Sequence, residues 1–433
     1  MAAEEKGYEP PYGWVMVAVA GTYMGIGSGV LNSMSVFLVP VSTSMGWLRG
    51  QTAFAYLAAT MAMGVGGILT GYLSDRFSTR PVVLAGAVGL GLWLLLLAGQ
   101  SELWQFYLLY FLLGGLGFSA FTAPMQSNVG SWFSRNRGTA IGLVNVGRSM
   151  GGAVVPFFAG SVIAASGWRT AYATLGIATL VVLVPLALLV RRPPAVAAAR
   201  QAAASANGAA AGGAGAGRAA VSDVVGRLGT GRSVLWIGVC GLFCCLCMAV
   251  PLVHVVALAR DRGIAAQSAA GIITVIMVAG VFGSVTFGRL ADRFGQVKTY
   301  WFASAWQTAS VFWFTQVDTL AGFFVIALLF GWGFSGVMTC LITCIQGMTP
   351  VARRGISTGI VTLFAWAGMG TGGFLGGLFF DLTGDYTLSF AFATAAGLAN
   401  LVAVGSLFLY AERPAGRLAA QMAAGQVVAA QGH

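Results

Sequence analysis

Arg148 stands ten residues into an apolar segment that begins at Gly138. At about 1.5 Å per helical residue it reaches roughly 15 Å in, near the middle of a hydrocarbon layer about 30 Å thick. A charge at that depth is costly and normally faces a bundle interior or a polar cavity. Its planar fork matches a carboxylate with two parallel hydrogen bonds. Arg148 is therefore the first candidate for holding an organic anion, with Asn145 one turn earlier on a similar face. The competing reading is that the guanidinium bonds to helix carbonyls and fixes packing. His254, the only histidine before the last residue, is followed by Arg260, Asp261 and Arg262. Histidine gains or loses a proton near neutral pH, so His254 with Asp261 is expected at a proton relay or an outer gate, or else at an interface. Asp75, Arg76 and Arg80 form a charged loop that recurs as Asp292 and Arg293. An acid and bases in such a loop can bond to neighbouring helix ends and release them, a cytoplasmic gate rather than a recognition site.

These residues must be positioned by membrane helices. The 433-residue chain is 58% hydrophobic and only 8% charged, with mean hydropathy +0.83. Soluble domains are about 25% charged, so a soluble enzyme, a disulfide scaffold and a disordered chain are excluded. Apolar runs of the length that crosses a bilayer fall at 14–39, 51–73, 81–99, 103–128, 139–164, 169–190, 233–258, 265–289, 298–316, 319–345, 356–380 and 387–410. Two of the separations need tight turns, at Gln100–Glu102 and at Gln316–Asp318. The expected fold is all-α and integral to the membrane, with twelve transmembrane helices in two pseudo-symmetric six-helix bundles. Its parts are a tail at 1–13, bundles at 14–190 and 233–410, a linker at 191–232 rich in Ala and Gly, and a tail at 411–433.

With the N-terminus cytoplasmic, eighteen of the 23 Lys and Arg residues fall on that side. Four, Arg49, Arg169, Arg260 and Arg262, fall opposite, and Arg148 lies within a helix. The positive-inside bias places both termini in the cytoplasm. The net charge of +11 is thus a topology signal, and no nucleic-acid partner is expected. The acidic first residues do not resemble a cleaved signal peptide. All six cysteines lie in apolar segments, which favours packing; no metal site and no cofactor are expected. No phosphate loop or nucleophile–base group appears, so the chain reads as no enzyme.

The halves repeat. Gly71-Tyr-Leu-Ser-Asp75-Arg76-Phe77 corresponds to Gly288-Arg-Leu-Ala-Asp292-Arg293-Phe294 at an offset of 217, and Arg137-Gly138 with Gly142 returns as Arg354-Gly355 with Gly359 at the same offset. Gly117-Phe118-Ser119 matches Gly333-Phe334-Ser335 at 216, one residue short. Arg148 falls opposite Ala365, so the scaffold itself does not call for the charge. Phe364 and Trp366 flank that position and are candidates for the apolar side of a substrate site. Tyr23, Asn32, Tyr56, Thr274, Trp306, Trp332 and Thr362 are weaker candidates for the same lining. The glycines along 138–151 and 368–377 suit close helix crossing.

At these repeated loops the chain resembles the major facilitator superfamily. Gly71 to Arg80, GYLSDRFSTR, is similar to its signature between the second and third helices, and Gly288 to Gly295 to the weaker copy between the eighth and ninth. Within it, Pro11-Tyr12-Gly13-Trp14-Val15, the stretch Trp132 to Gly142, and Pro251 to His254 with Ala259 to Gly263 resemble the bacterial monocarboxylate and oxalate–formate branch. The resemblance implies a secondary transporter of small organic anions, monocarboxylates foremost, working by alternating access, with a co-transported proton, as a monomer in a bacterial inner membrane. The chain departs from that branch in one respect. The interior Gly271 to Thr286 carries no charge, and Ile356 to Phe380 carries no lysine, so the branch's usual substrate-binding charges are not carried over. A carboxylate exchanger, a metabolite or drug exporter, and a non-transporting anion sensor are the alternatives.

Overall fold

The computed structural model describes residues 11–130, 132–133, 137–191, 230–348 and 354–430. The tail at 1–10, nearly all of the 191–232 linker, Ser134 to Asn136 and Arg353 lie outside the described residues, as do the side chains of Asp75 and Asp292.

The architecture is all-α. The first half comprises α1 (Tyr12–Asn32), α2 (Met34–Met45), α3 (Arg49–Phe77), α4 (Thr79–Gly99), α5 (Leu103–Leu112), a π-helical turn (Leu113–Phe118), α6 (Ser119–Gly130) and α7 (Arg137–Leu188). The second half comprises α8 (Thr230–Asp261), α9 (Ala266–Phe294), α10 (Gln296–Val311), a 3-10 turn (Phe312–Gln316), α11 (Leu320–Gly347), α12 (Arg354–Thr383) and α13 (Thr387–Ala430). Both expected tight turns are present, with Gln100 and Val317 extended at the ends of their helices. The 52 residues of α7 form two limbs, because Gly167 at φ 84 and ψ 168 leaves the helical region, a conformation that glycine adopts without steric cost.

Ten spans among the described residues are long and apolar enough to cross a membrane. This differs from the twelve expected, for two physical reasons. The two limbs of α7 count as one continuous span of 47 residues. The ninth segment is a 16-residue helix that carries Lys298, Gln307 and several hydroxyls before it tightens into the 3-10 turn. A second difference lies at the end of the chain. The expected tail from 411 is helical, α13 continuing to Ala430, as an alanine-rich stretch favours.

Glycines set the closest helix crossings, and the crossings repeat. A Cβ on Gly151 would lie 2.1 Å from the Gly25 carbonyl oxygen, and one on Gly368 would lie 2.2 Å from that of Leu242. The pair Gly66 and Gly115 (1.9 Å) returns as Gly283 and Trp332 (2.0 Å), and Gly114 against Ala59 (2.1 Å) returns as Gly331 against Ile276 (2.3 Å). Each pair is displaced by the same 217 positions found between the charged loops. The 216 offset at Gly117 now has a cause. The first half carries one extra residue just before it, and the helix absorbs it as the π turn Leu113–Phe118, the usual way a helix takes an insertion.

Candidate functional site

The two halves meet along two seams, α3 on α12 and α7 on α9. At the Arg49 end of the first seam, Gly46 in the left-handed region (φ 68) and extended Leu48 turn the chain into α3. Asp381, at the end of α12, accepts hydrogen bonds from the backbone N–H groups of Arg49 (3.0 Å) and Gly50 (2.6 Å). Glycine at 50 permits this approach, since a Cβ would stand 2.7 Å from Asp381 Oδ2. The Arg49 guanidinium donates to both oxygens of Asp261, at 2.5 and 2.7 Å, and to the Tyr386 hydroxyl at 3.0 Å. It also lies 3.9 Å above the Phe380 ring. Arg49 thus holds the ends of α8 and α12 and the start of α13.

Beneath it, His254 is fully buried. Its Nε2 lies 2.7 Å from the Gly373 carbonyl and its Nδ1 3.3 Å from the Tyr386 hydroxyl. A carbonyl only accepts, so the proton sits on Nε2, and Nδ1 accepts from Tyr386. A continuous chain results, Arg49 donating to Tyr386, Tyr386 to His254 and His254 to Gly373. The sequence-predicted His254 and Asp261 are therefore in one cluster. Arg49, Asp381 and Tyr386 were not singled out as site residues. The signal for them was the charge count on that face, where few cations meet several acids.

Below the cluster both seams stay closed for several turns. On the first, Phe54 meets Phe374 with centroids 5.5 Å apart, Gly373 lies against Tyr56, Gly370 against Leu57 and Thr60, and Gly64 against Leu363. On the second, Thr274 donates to the Ala153 carbonyl (2.9 Å), and Gly152 faces Asn32 and Met277. Among the described residues, contacts along both seams then give out toward the Asp75 end. A Cβ on Gly67, Gly71, Gly142, Gly288 or Gly359 would meet nothing within 4 Å. Among the described residues, then, the halves touch closely toward the Arg49 end and are not seen to touch at these glycines toward the Asp75 end.

Arg148 lies one helical turn from Gly152, where the α7–α9 seam gives out. Its carbonyl accepts from Ser28 (2.6 Å), which seats the backbone against α1. The residue is half-buried, within electrostatic reach of Tyr56. Among the described residues no hydrogen bond or ion pair reaches its guanidinium. Asn145 is exposed, also unpaired among the described residues, nearer the separated end. Trp366 crosses the first seam to stand edge-on to Phe118, at 6.5 Å. Phe364 packs on Gly238 of α8, in its own half, and Ala365 is buried.

Other expected lining residues lie elsewhere. Trp306 and Trp332 stack edge to face at 5.1 Å and line an apolar groove of about 430 Å³ with Ala279, Phe282, Leu328 and Leu329, all of the second half. Tyr23 is buried and bonds to the Leu183 carbonyl. In the charged loops, Arg76 bonds to Tyr72 (3.3 Å) and lies over Phe77, Arg293 lies over Phe294, and Arg80 is exposed. These visible arginine contacts stay within their own loops. The described residues hold no cluster of three or more His, Cys, Asp or Glu side chains fit for a metal.

The Major Facilitator Superfamily profile matches residues 14–253 and 235–431. Among curated proteins, human Monocarboxylate transporter 11 is 27% identical over 429 residues, covering 93% of this chain and 83% of that protein. The agnestins efflux protein AgnL12 of Paecilomyces divaricatus is 22% identical, covering 75% and 68%. Among solved structures, the xylose transporter XylE from E. coli, in a partially occluded inward open conformation, superposes with a TM-score of 0.71 at 15% identity, over 91% of this chain and 97% of that one. Relatives span carriers of different names, so the likeness settles the scaffold and leaves the cargo open. With long apolar helices, helix crossings that repeat at a fixed offset and a family profile over nearly its whole length, this chain is a multi-pass membrane transporter rather than an enzyme, and it belongs to the Major Facilitator Superfamily.

Proposed function

We propose that the protein carries small organic anions, monocarboxylates foremost, by alternating access between two six-helix halves of twelve membrane-crossing segments. The observation that carries this reading is Arg148, a guanidinium without a partner among the described residues. It stands where the α7–α9 seam ends, ten residues into the apolar stretch from Gly138, which corresponds to about mid-membrane depth on the proposed topology. An unpaired cation in a low-dielectric space attracts a carboxylate strongly and repels a cationic cargo. Asn145 supplies a second polar contact, and Trp366 an apolar wall; Phe364 contributes to that wall from its seat on Gly238. The likeness to monocarboxylate transporters agrees with this choice of cargo.

Taking both termini as cytoplasmic, the cluster at Arg49 is an outer gate in its shut state, and the parted ends around Asp75 and Asp292 open to the cytoplasm. Coupling to a proton then falls to His254 and Asp261, because the described helix interiors hold no carboxylate near Arg148. A bacterial inner membrane is the proposed location.

The deciding experiment is a thermal-shift panel of mono-, di- and aromatic carboxylates on the purified protein, repeated with Arg148→Gln. Selective stabilisation by carboxylates that disappears in the variant supports the reading. Equal stabilisation of both proteins, or none, defeats it. Counterflow in liposomes separates a carrier from a sensor, which binds without accumulation. Export of a metabolite, the second reading, draws on the likeness to AgnL12, and the direction of net flux in cells decides it.

A further inference from the structure

The second half contains a polar cluster that the proposed transport path does not use. On α10, Tyr300, Ser304 and Gln307 are each 1% exposed, and Asn400 of α13 is fully buried. Asn400 Nδ2 donates to Ser304 Oγ (2.6 Å), and Gln307 Nε2 reaches the Cys244 carbonyl of α8 at 3.5 Å, the limit of a hydrogen bond. Among the described residues Asn400 Oδ1 and Gln307 Oε1 have no partner, and the Tyr300 hydroxyl has no oxygen or nitrogen partner. Its polar neighbour is the Cys244 thiol, a weak hydrogen-bonding partner, so Tyr300 and Gln307 converge on the same turn of α8.

The scaffold does not require this polarity. At the 217 offset the first half has Val83, Ala87, Leu90 and Leu183, all fully buried and apolar. The correspondence is structural as well as sequential, because Gly91 meets Leu180 in the first half as Gly397 meets Thr308 in the second. Orphaned polar atoms in a membrane interior cost stability unless something satisfies them. The guest must donate to two amide oxygens. It must also accept from Ser304, whose hydroxyl proton has no acceptor among the described residues, and it offers Tyr300 a stronger partner than the Cys244 thiol. Water does both, and buried water normally makes about three such bonds.

We propose that α8, α10 and α13 enclose a binding pocket for ordered water, held by Asn400, Gln307, Tyr300 and Ser304. The helix that carries His254 and Asp261 is thereby joined to its neighbours in part through water rather than through fixed side-chain pairs.

Radiolytic hydroxyl-radical footprinting of the full-length protein in lipid tests this directly, since bound water generates radicals where it sits. Tyr300 is expected to be oxidised several-fold faster than Tyr110, which is comparably buried but hydrogen-bonded to Tyr172. Equal rates overturn the proposal, and this arm needs no variant to fold. The double variant Gln307→Leu with Asn400→Leu installs the first half's residues. It should remove the excess oxidation of Tyr300 and raise the melting temperature; persistence of the excess overturns the assignment of those amides. A melting temperature raised by sodium over choline in the unsubstituted protein alone identifies a cation as the guest, and also overturns it. None of these readouts depends on Arg148 or on the nature of the cargo.

Discussion

Asp381 caps a helix that belongs to the other half of the chain. Its two oxygens take the backbone N–H groups of Arg49 and Gly50, the first donors of α3, which have no partner within the helix. A carboxylate at that position also meets the positive end of the helix dipole. The bond pair exists only while α3 and α12 are together, so it reports the closed state of this end of the molecule.

Asp381→Ala should therefore open this end rather than unfold the protein. A side-chain cap contributes about 1 kcal/mol, and a charged acceptor somewhat more. The shift in the closed-to-open ratio is then about tenfold. A cysteine placed at Leu57, on the seam beneath, gives the readout, because the native cysteines seen in the structure are all buried. On the proposed topology, labelling by a membrane-impermeant maleimide from outside should rise several-fold over the same probe in the parent. Unchanged labelling would mean that Asp381 is not part of a gate.

Arg49→Lys separates charge from shape. Lysine keeps the cation but cannot grip both oxygens of Asp261 while also reaching Tyr386. Labelling at the same probe should fall between the parent and Arg49→Ala. If Lys and Ala behave alike, the planar fork is what closes the gate; if Lys matches the parent, the geometry at Asp261 contributes nothing.

Sequence alone located most of the helices, the two tight turns and the repeat, but not the helix beyond 411. Even the π turn left a trace, as the single-residue slip at Gly117. Arg49 is not legible in this way, because its backbone partner Asp381 is 332 positions away and no local pattern links the two. The groove at Trp306 and Trp332 is illegible for another reason. The helices are apolar around much of their circumference, so periodicity does not separate a lipid-facing side from an interior one. Residue type alone then fits a groove in one half as well as a space between halves. Arg148 was legible because a charge at that depth is rare enough to stand out by itself.

His254 should give the gate a pH dependence. In the closed state the ring is neutral at Nδ1, which accepts from Tyr386 while Arg49 donates to the same hydroxyl. A second proton on the ring turns Nδ1 into a donor, so the Tyr386 oxygen faces two donors and its own proton needs a new acceptor. It also adds a positive charge to a cluster that already holds Arg49, facing Asp261 and Asp381. If this end is the outer gate proposed above, acid outside should loosen it, raising outside labelling at the Leu57→Cys probe as pH falls from about 7 to about 5. His254→Gln keeps a donor for Gly373 but does not titrate, and should give a flat profile. A parent profile as flat as the variant's would leave His254 a packing residue.

The repeated crossings make a prediction about stability that tests the two-half architecture itself. A methyl group on Gly66 would stand 1.9 Å from the Gly115 carbonyl oxygen, whereas one on Gly67 would meet nothing within 4 Å. Gly66→Ala must push α3 away from the π turn, and overpacking of that kind costs about 1–3 kcal/mol. Gly67→Ala strains nothing and gains helix propensity, so it should be neutral or slightly stabilising. Gly283 occupies the place of Gly66 in the second half, with the Trp332 carbonyl oxygen 2.0 Å from its would-be Cβ. Thermal denaturation in detergent should show Gly66→Ala and Gly283→Ala lowering the melting temperature by similar amounts, with Gly67→Ala at or above the parent. If Gly283→Ala is as harmless as Gly67→Ala, the two halves do not share their crossing geometry, and the 217-residue offset is a feature of sequence only.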